Sequence, residues 1–123
     1  MKSNTGYVNQ IYGVTRDPLT HEYAIVTAFK NGGNLRRVIL ENHTDLTWLK
    51  VINMIYYISD GLSNIHQSNY HHKDFHSGNI LNRIDIYNNY IGSVISDFGM
   101  SRPADEKNEK TLYGVMPLVA PDL

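Results

Sequence analysis

The sequence has no cysteine, one tryptophan and four prolines in 123 residues. Without thiols it can form no disulfide framework, no thiolate nucleophile and no cysteine-ligated metal centre. A reducing interior suits such a chain, and the cytoplasm is its expected location. No apolar run approaches the ~20 residues that a membrane span requires. The opening Met1-Lys2-Ser3-Asn4-Thr5-Gly6 lacks the apolar core of a signal peptide. Charge of either sign is scarce: 11 Lys and Arg against 12 Asp and Glu leave a net charge of −1. No basic field invites nucleic acid and no acidic tail invites a basic partner, so neither nucleic acid nor membrane is expected as a partner. Internal repeats and low-complexity tracts are also absent. The hydrophobic share of 41% and charged share of 19% suit a globular chain rather than a disordered one, and the length suits one domain.

The pattern along the chain predicts a small set of elements. Tyr7 to Val14 alternates weakly and reads as a strand closing at Gly13. Asp17-Pro18-Leu19-Thr20 is a turn signal, and Glu22 to Phe29, rich in β-formers, reads as a buried strand paired with the first. Asn31-Gly32-Gly33 breaks the chain, after which Asn34 can cap a short helix through about Glu41, with Leu35, Val38 and Ile39 on one face. A second helix is expected from about Asp45 to Gln67. Its apolar stripe comprises Trp48, Val51, Ile52, Ile55, Tyr56, Leu62 and Ile65, and Gly61 marks close packing. Tyr70 to Asp74 allows a strand fragment and a loop. Ile80 to Ile86 and Tyr90 to Ser96 read as paired strands turning at Asn88-Asn89. Ser101 to Lys110 reads as an exposed loop, and Gly114 to Pro121 as an irregular, partly buried stretch.

One constellation carries chemistry. His72-Lys73-Asp74-Phe75-His76-Ser77-Gly78-Asn79 is followed downstream by Asp97-Phe98-Gly99 and later by Ala120-Pro121-Asp122. Phosphoryl transfer needs a carboxylate beside the attacking hydroxyl and oxygen ligands for the magnesium that neutralises the phosphates. Six fixed letters in this order arise by chance on the order of once in ten thousand chains or fewer. The run resembles the H-R-D-x-x-x-x-N, D-F-G and A-P-E order of protein kinases. The resemblance extends from about Ile11 to Leu123 and is nearest the tyrosine-kinase-like branch. It implies an α+β, protein-kinase-like fold in part. Residues 7–30 would supply small-lobe strands and hinge, and residues 31–123 the large-lobe part with catalytic loop and activation segment.

The resemblance also assigns roles. Asp74 would orient or accept the proton of the acceptor hydroxyl, while Asn79 and Asp97 would hold magnesium. His72 would pack on Phe98. Lys73 stands in place of the usual Arg, keeping the charge but losing its planar fork. His76 stands where Ser/Thr kinases usually have a Lys that meets the transferred phosphate, which leaves the acceptor class open between Ser/Thr and Tyr. Ala28-Phe29-Lys30-Asn31-Gly32-Gly33-Asn34-Leu35 resembles the hinge pattern E-Y-x-x-G-G-x-L. Thr27 would then be the gatekeeper. The backbone of Ala28 and Lys30 would meet adenine, Asn34 the ribose, and Leu81 the underside of the base. Ser101, Thr111 and Tyr113 are the candidate loop phosphosites.

The cofactors implied are ATP and Mg2+, and the partner is a protein substrate. The Gly-rich loop, the V-A-I-K-like strand and the helix Glu of kinases have no counterpart in this sequence. The chain is therefore expected to cover about half a catalytic domain and to transfer phosphate negligibly alone. The apolar stripe of the 45–67 helix is expected to be exposed, inviting a covering partner. A second reading is a pseudokinase-like docking module without catalysis. A third is a metal site built from His71, His72, Asp74 and His76.

Overall fold

Asp17 closes the first hairpin. Its Oδ1 accepts the backbone N–H groups of Leu19 at 2.7 Å and Thr20 at 3.1 Å, an Asx-type turn that local sequence alone specifies. The hairpin joins β1 (Ile11–Arg16) to β2 (Tyr23–Thr27) in antiparallel register, Arg16 opposite Tyr23 and Ile11 opposite Thr27. The computed structural model describes residues 6–97 and the backbone of 102–103; Phe98, the candidate phosphosites and the Ala120-Pro121-Asp122 motif lie outside these described residues.

Two expectations about this hairpin need correction. β2 is not buried: all five of its residues are exposed, Tyr23 at 73% and Ile25 at 62%. Apolar residues on both faces of a strand encode burial by layers on both sides, and among the described residues no element packs extensively on this sheet. The first strand also begins at Ile11, not Tyr7. Residues 7–9 instead run alongside β5 (Tyr90–Ile95): Ile95 N donates to Tyr7 O at 2.9 Å and Asn9 N to Ile95 O at 2.7 Å, with Val8 bridging Ile95 in parallel.

The two helices follow as the spacing predicts. α1 (Leu35–Asn42) is capped by Asn34, whose side chain accepts Arg37 N at 2.8 Å. α2 spans Trp48–Gln67 and is capped by Thr47, whose hydroxyl accepts Lys50 N at 3.3 Å. The expected start near Asp45 gives way to a 3-10 turn over His43–Asp45. Along α2, Met54, Gly61 and Ile65 are buried and Val51 and Ile58 half-buried, in the 3-4 spacing of one helical face. That face packs on β5.

β5 pairs antiparallel with β4 (Ile80–Ile84). β4 ends at Ile84 rather than Ile86 because Asp85 turns the chain: its Oδ1 accepts Tyr87 N at 2.9 Å and Asn89 N at 2.8 Å. The core comprises Met54, Ile65, Ile80, Val94 and Ile95. One polar chain crosses it, with Ser93 Oγ donating to Asn82 Oδ1 at 2.8 Å and meeting Tyr90 OH at 2.8 Å. β3 (Tyr70–His71) pairs antiparallel with β6 (Arg102–Pro103), so part of the stretch expected as loop is strand. The architecture is α+β, in the expected element order. No helix among the described residues is long and apolar enough to cross a membrane.

Candidate functional site

The loop from His72 to Asn79 leaves β3 and returns into β4, which places it at the open end of the β4–β5 hairpin. His72 anchors it. The residue is 2% exposed. Its Nδ1 accepts Asp74 N at 3.2 Å, and its Nε2 lies 2.8 Å from Ser96 O. A ring whose Nδ1 accepts must carry its proton on Nε2 when neutral, so Nε2–H donates to the Ser96 carbonyl. The ring also meets Phe75 edge-on, centroids 6.3 Å apart. Phe98, the expected stacking partner, lies outside the described residues. Lys73 occupies a left-handed conformation (φ 66°) and is exposed, so the loop reverses between the buried His72 and the half-buried Asp74.

Asp74 is gripped by Asn79. The Asn79 side-chain nitrogen donates to Asp74 O at 3.0 Å and to Asp74 Oδ2 at 3.1 Å. His76 completes the cluster. Its Nε2 lies 3.5 Å from Asp74 Oδ1 and 3.1 Å from Asn79 Nδ2, and its Nδ1 accepts Gly78 N at 3.1 Å. The side chains of His76 and Asp74 are only 19% and 17% exposed.

Asp97 is placed through its neighbour. Ser96 is held at both backbone groups by this loop, its N–H donating to Asn79 O at 2.8 Å and its carbonyl accepting from His72. Asp97 then leaves β5 exposed, in a left-handed conformation (φ 61°). Asp74, His76 and Asn79 are thus in direct contact, and Asp97 follows a residue clamped to the same loop. Because Asn79 turns its amide nitrogen onto Asp74, its carbonyl oxygen faces the other way. A neutral oxygen and a carboxylate are the donors that suit a hard divalent cation such as magnesium.

The hinge candidates divide into two groups. Thr27 ends β2, exposed, and Ala28 N donates to Gln10 O at 2.8 Å. Lys30 is half-buried; burial, and then the nearby charge of Arg83, hold its ammonium pKa below the usual lysine value. The following residues are tied to β4. Gly32 N donates to Asn82 O at 2.9 Å, Asn82 N to Gly33 O at 2.8 Å, and the Asn31 side chain brackets Ile84 with two further bonds. Asn34 bridges Leu81, which brings these two candidates side by side. Asn34 Oδ1 is committed to capping α1, so a ribose contact would use its amide nitrogen.

The metal-site reading from histidines is not supported. No group of three or more His, Cys, Asp or Glu among the described residues is arranged to hold a metal. Both His72 nitrogens serve backbone atoms, and His71 faces His66 across a 5.9 Å ring contact. Sequence reasoning missed Ser96, whose role is entirely backbone, and Gly78, whose neighbour His76 alone hints at a close approach.

Comparison with known proteins points to one family. The family model described as protein tyrosine and serine/threonine kinase matches residues 1–119. Similar curated proteins include Ephrin type-B receptor 2 of Gallus gallus and Ephrin type-B receptor 1-A of Xenopus laevis. Each is 28% identical over 89 residues, which cover 72% of this chain and 8% of the receptor. Ephrin type-B receptor 1 of Gallus gallus matches to the same extent. The matched stretch therefore spans less than a tenth of the length of these relatives.

Proposed function

We propose, from the premise that this chain belongs to the protein tyrosine and serine/threonine kinase family, that it carries the catalytic-loop and metal-binding part of a site that transfers the ATP γ-phosphate to a hydroxyl of a protein substrate. Asp74 orients the acceptor hydroxyl and takes its proton. Asn79 and Asp97 hold magnesium, which when bound neutralises phosphate charge. The backbone of Ala28 and Lys30 receives the adenine edge beside Thr27, with Leu81 beneath the base and Asn34 near the ribose. The cytoplasm is the proposed location.

The observation that carries this reading is the pair of hydrogen bonds from the Asn79 amide nitrogen to the Asp74 carbonyl and carboxylate, since it presents an amide oxygen for metal beside a carboxylate reserved for the acceptor. Hydrogen bonds to an anionic acceptor are the stronger kind. They fix the pair before substrate arrives, which is the form of preorganisation that phosphoryl transfer uses.

A thermal-shift titration of the 123-residue chain with ATP tests the reading. Stabilisation that requires Mg2+ and is lost in Asp97→Ala is expected. A folded chain that shows no shift in either condition would contradict nucleotide binding and favour a docking role. Phosphate transfer by this chain alone is expected to be negligible; robust autophosphorylation abolished by Asp74→Asn would overturn that expectation.

A further inference from the structure

The position of the His76 ring is set by what lies beneath it. A Cβ at Gly78 would sit 2.8 Å from His76 Cε1 and 2.9 Å from Nδ1. Any other residue at position 78 would push the ring off, so Gly78 lets the imidazole fold flat over the turn and cap it. The cap settles the tautomer. Gly78 N–H donates to Nδ1, so Nδ1 carries no proton and the neutral ring bears its hydrogen on Nε2. Nε2 therefore cannot accept from Asn79 Nδ2, although the two nitrogens are 3.1 Å apart. Asn79 already spends its amide hydrogens on Asp74 O and Oδ2. The acceptor left within reach of Nε2–H is the other carboxylate oxygen, Asp74 Oδ1, at 3.5 Å, a polar contact longer than a hydrogen bond.

We propose that His76, held over Gly78, is a positioning residue that packs against both the Asp74 carboxylate and the Asn79 amide and so fixes the direction in which Asn79 presents its carbonyl oxygen. The inference rests on the kinase reading of Asp74 and Asn79. With the Asn79 amide bonded to Oδ2 and the His76 ring 3.5 Å from Oδ1, rotation of the Asp74 side chain loses a contact either way. Turning the Asn79 amide over would set its oxygen against two oxygens of Asp74. The imidazole acts through its neighbours and need not touch nucleotide or metal.

Two substitutions separate this role from simple capping. His76→Asn keeps an acceptor near the Nδ1 position for Gly78 N–H but loses the far N–H. His76→Gln reaches the Nε2 position with an amide N–H but loses the cap. In the isotopically labelled 123-residue chain, long-range proton–nitrogen NMR is expected to find the His76 proton on Nε2. The Asn79 side-chain amide signals are expected to shift in His76→Asn and in Gly78→Ala, and to stay near their wild-type positions in His76→Gln. Mg·ATP binding should weaken about tenfold or more in His76→Asn, as for other residues that orient metal ligands, and recover in His76→Gln, with melting temperatures recorded for each variant. A proton on Nδ1, or Asn79 signals and Mg·ATP affinity unchanged in a folded His76→Asn, would overturn the proposal. If wild-type chain binds no Mg·ATP while the Asn79 signals follow the expected pattern, the kinase reading fails and the positioning role stands.

Discussion

Gly61 carries no chemistry, yet the side chain it lacks decides where residues 7–9 lie. A Cβ there would stand 2.6 Å from Tyr7 O and 3.2 Å from Ile95 Cδ1. The first is a backbone atom that already accepts from Ile95 N, so it cannot yield without breaking the strip of pairing along β5. Gly61→Ala is expected to destabilise the chain by about 1–3 kcal/mol, as overpacking in a filled interior does, measured by urea denaturation. A variant as stable as the parent would show that residues 7–9 dock less tightly than the geometry implies. At this scale the sequence was legible where side-chain chemistry has a spacing. His72, Asp74 and Asn79 stand out because their intervals resemble the catalytic loop of protein kinases, and Asp74 and Asn79 do meet. Ser96 was not legible because it works through its N–H and carbonyl, which every residue possesses. The tautomer of His76 was equally hidden, since it depends on the backbone of Gly78.

Among the elements, turns and caps are the parts most plainly written in the sequence. Asn34 and Thr47 each accept a backbone N–H at a helix start; Asn34→Ala and Thr47→Ala should each cost about 1 kcal/mol, read from denaturant midpoints at constant slope. The second helix starts later than expected because Asp45 and Thr47 are both competent caps, and only the 3-10 turn over His43–Asp45 decides between them. The exposure of β2 was not legible, since its apolar pattern encodes burial from both sides whereas the described fold covers neither. Acid sensitivity belongs to the two Asx turns. Backbone N–H donors, from Asn89 and Leu19 foremost, hold the Asp85 and Asp17 carboxyls below the usual carboxylate range. A carboxyl with a lowered pKa in the folded state stabilises fully above the unfolded value, about pH 4. That stabilisation disappears as pH falls through the lowered folded value. Melting temperature should therefore decline below about pH 4, and Asp85→Asn, which keeps an acceptor without the charge, should flatten part of that decline. An identical pH profile in the variant would count against the turn's contribution.

For the whole molecule, the apolar stripe anticipated on α2 divides between two environments. Ile65 is buried and Val51 and Leu62 are half-buried, whereas Trp48 (82%), Ile52 (58%), Ile55 (58%) and Tyr56 (61%) are exposed. Contiguous apolar surface of this kind drives association. The isolated chain is expected to self-associate with rising concentration, and Ile52→Glu with Ile55→Glu should reduce this without lowering the melting temperature. Trp48 is the sole tryptophan, so its fluorescence reports directly on that face. A monodisperse, cooperatively melting parent chain at high concentration would refute the expectation. The proposed site gathers Asn79 and Asp97 around one divalent ion at the tail of a nucleotide, with Asp74 beside it. Its most direct test replaces Mg2+ by paramagnetic Mn2+, which accepts the same oxygen donors, in the presence of ATP, and reads line broadening residue by residue. Broadening concentrated at the Asn79 side-chain amide and at Asp97, weaker at Asp74 and absent from the Asp17 and Asp85 turns, is the expected result. A Mn2+·ATP complex that broadens those turns and leaves Asn79 and Asp97 sharp would contradict it.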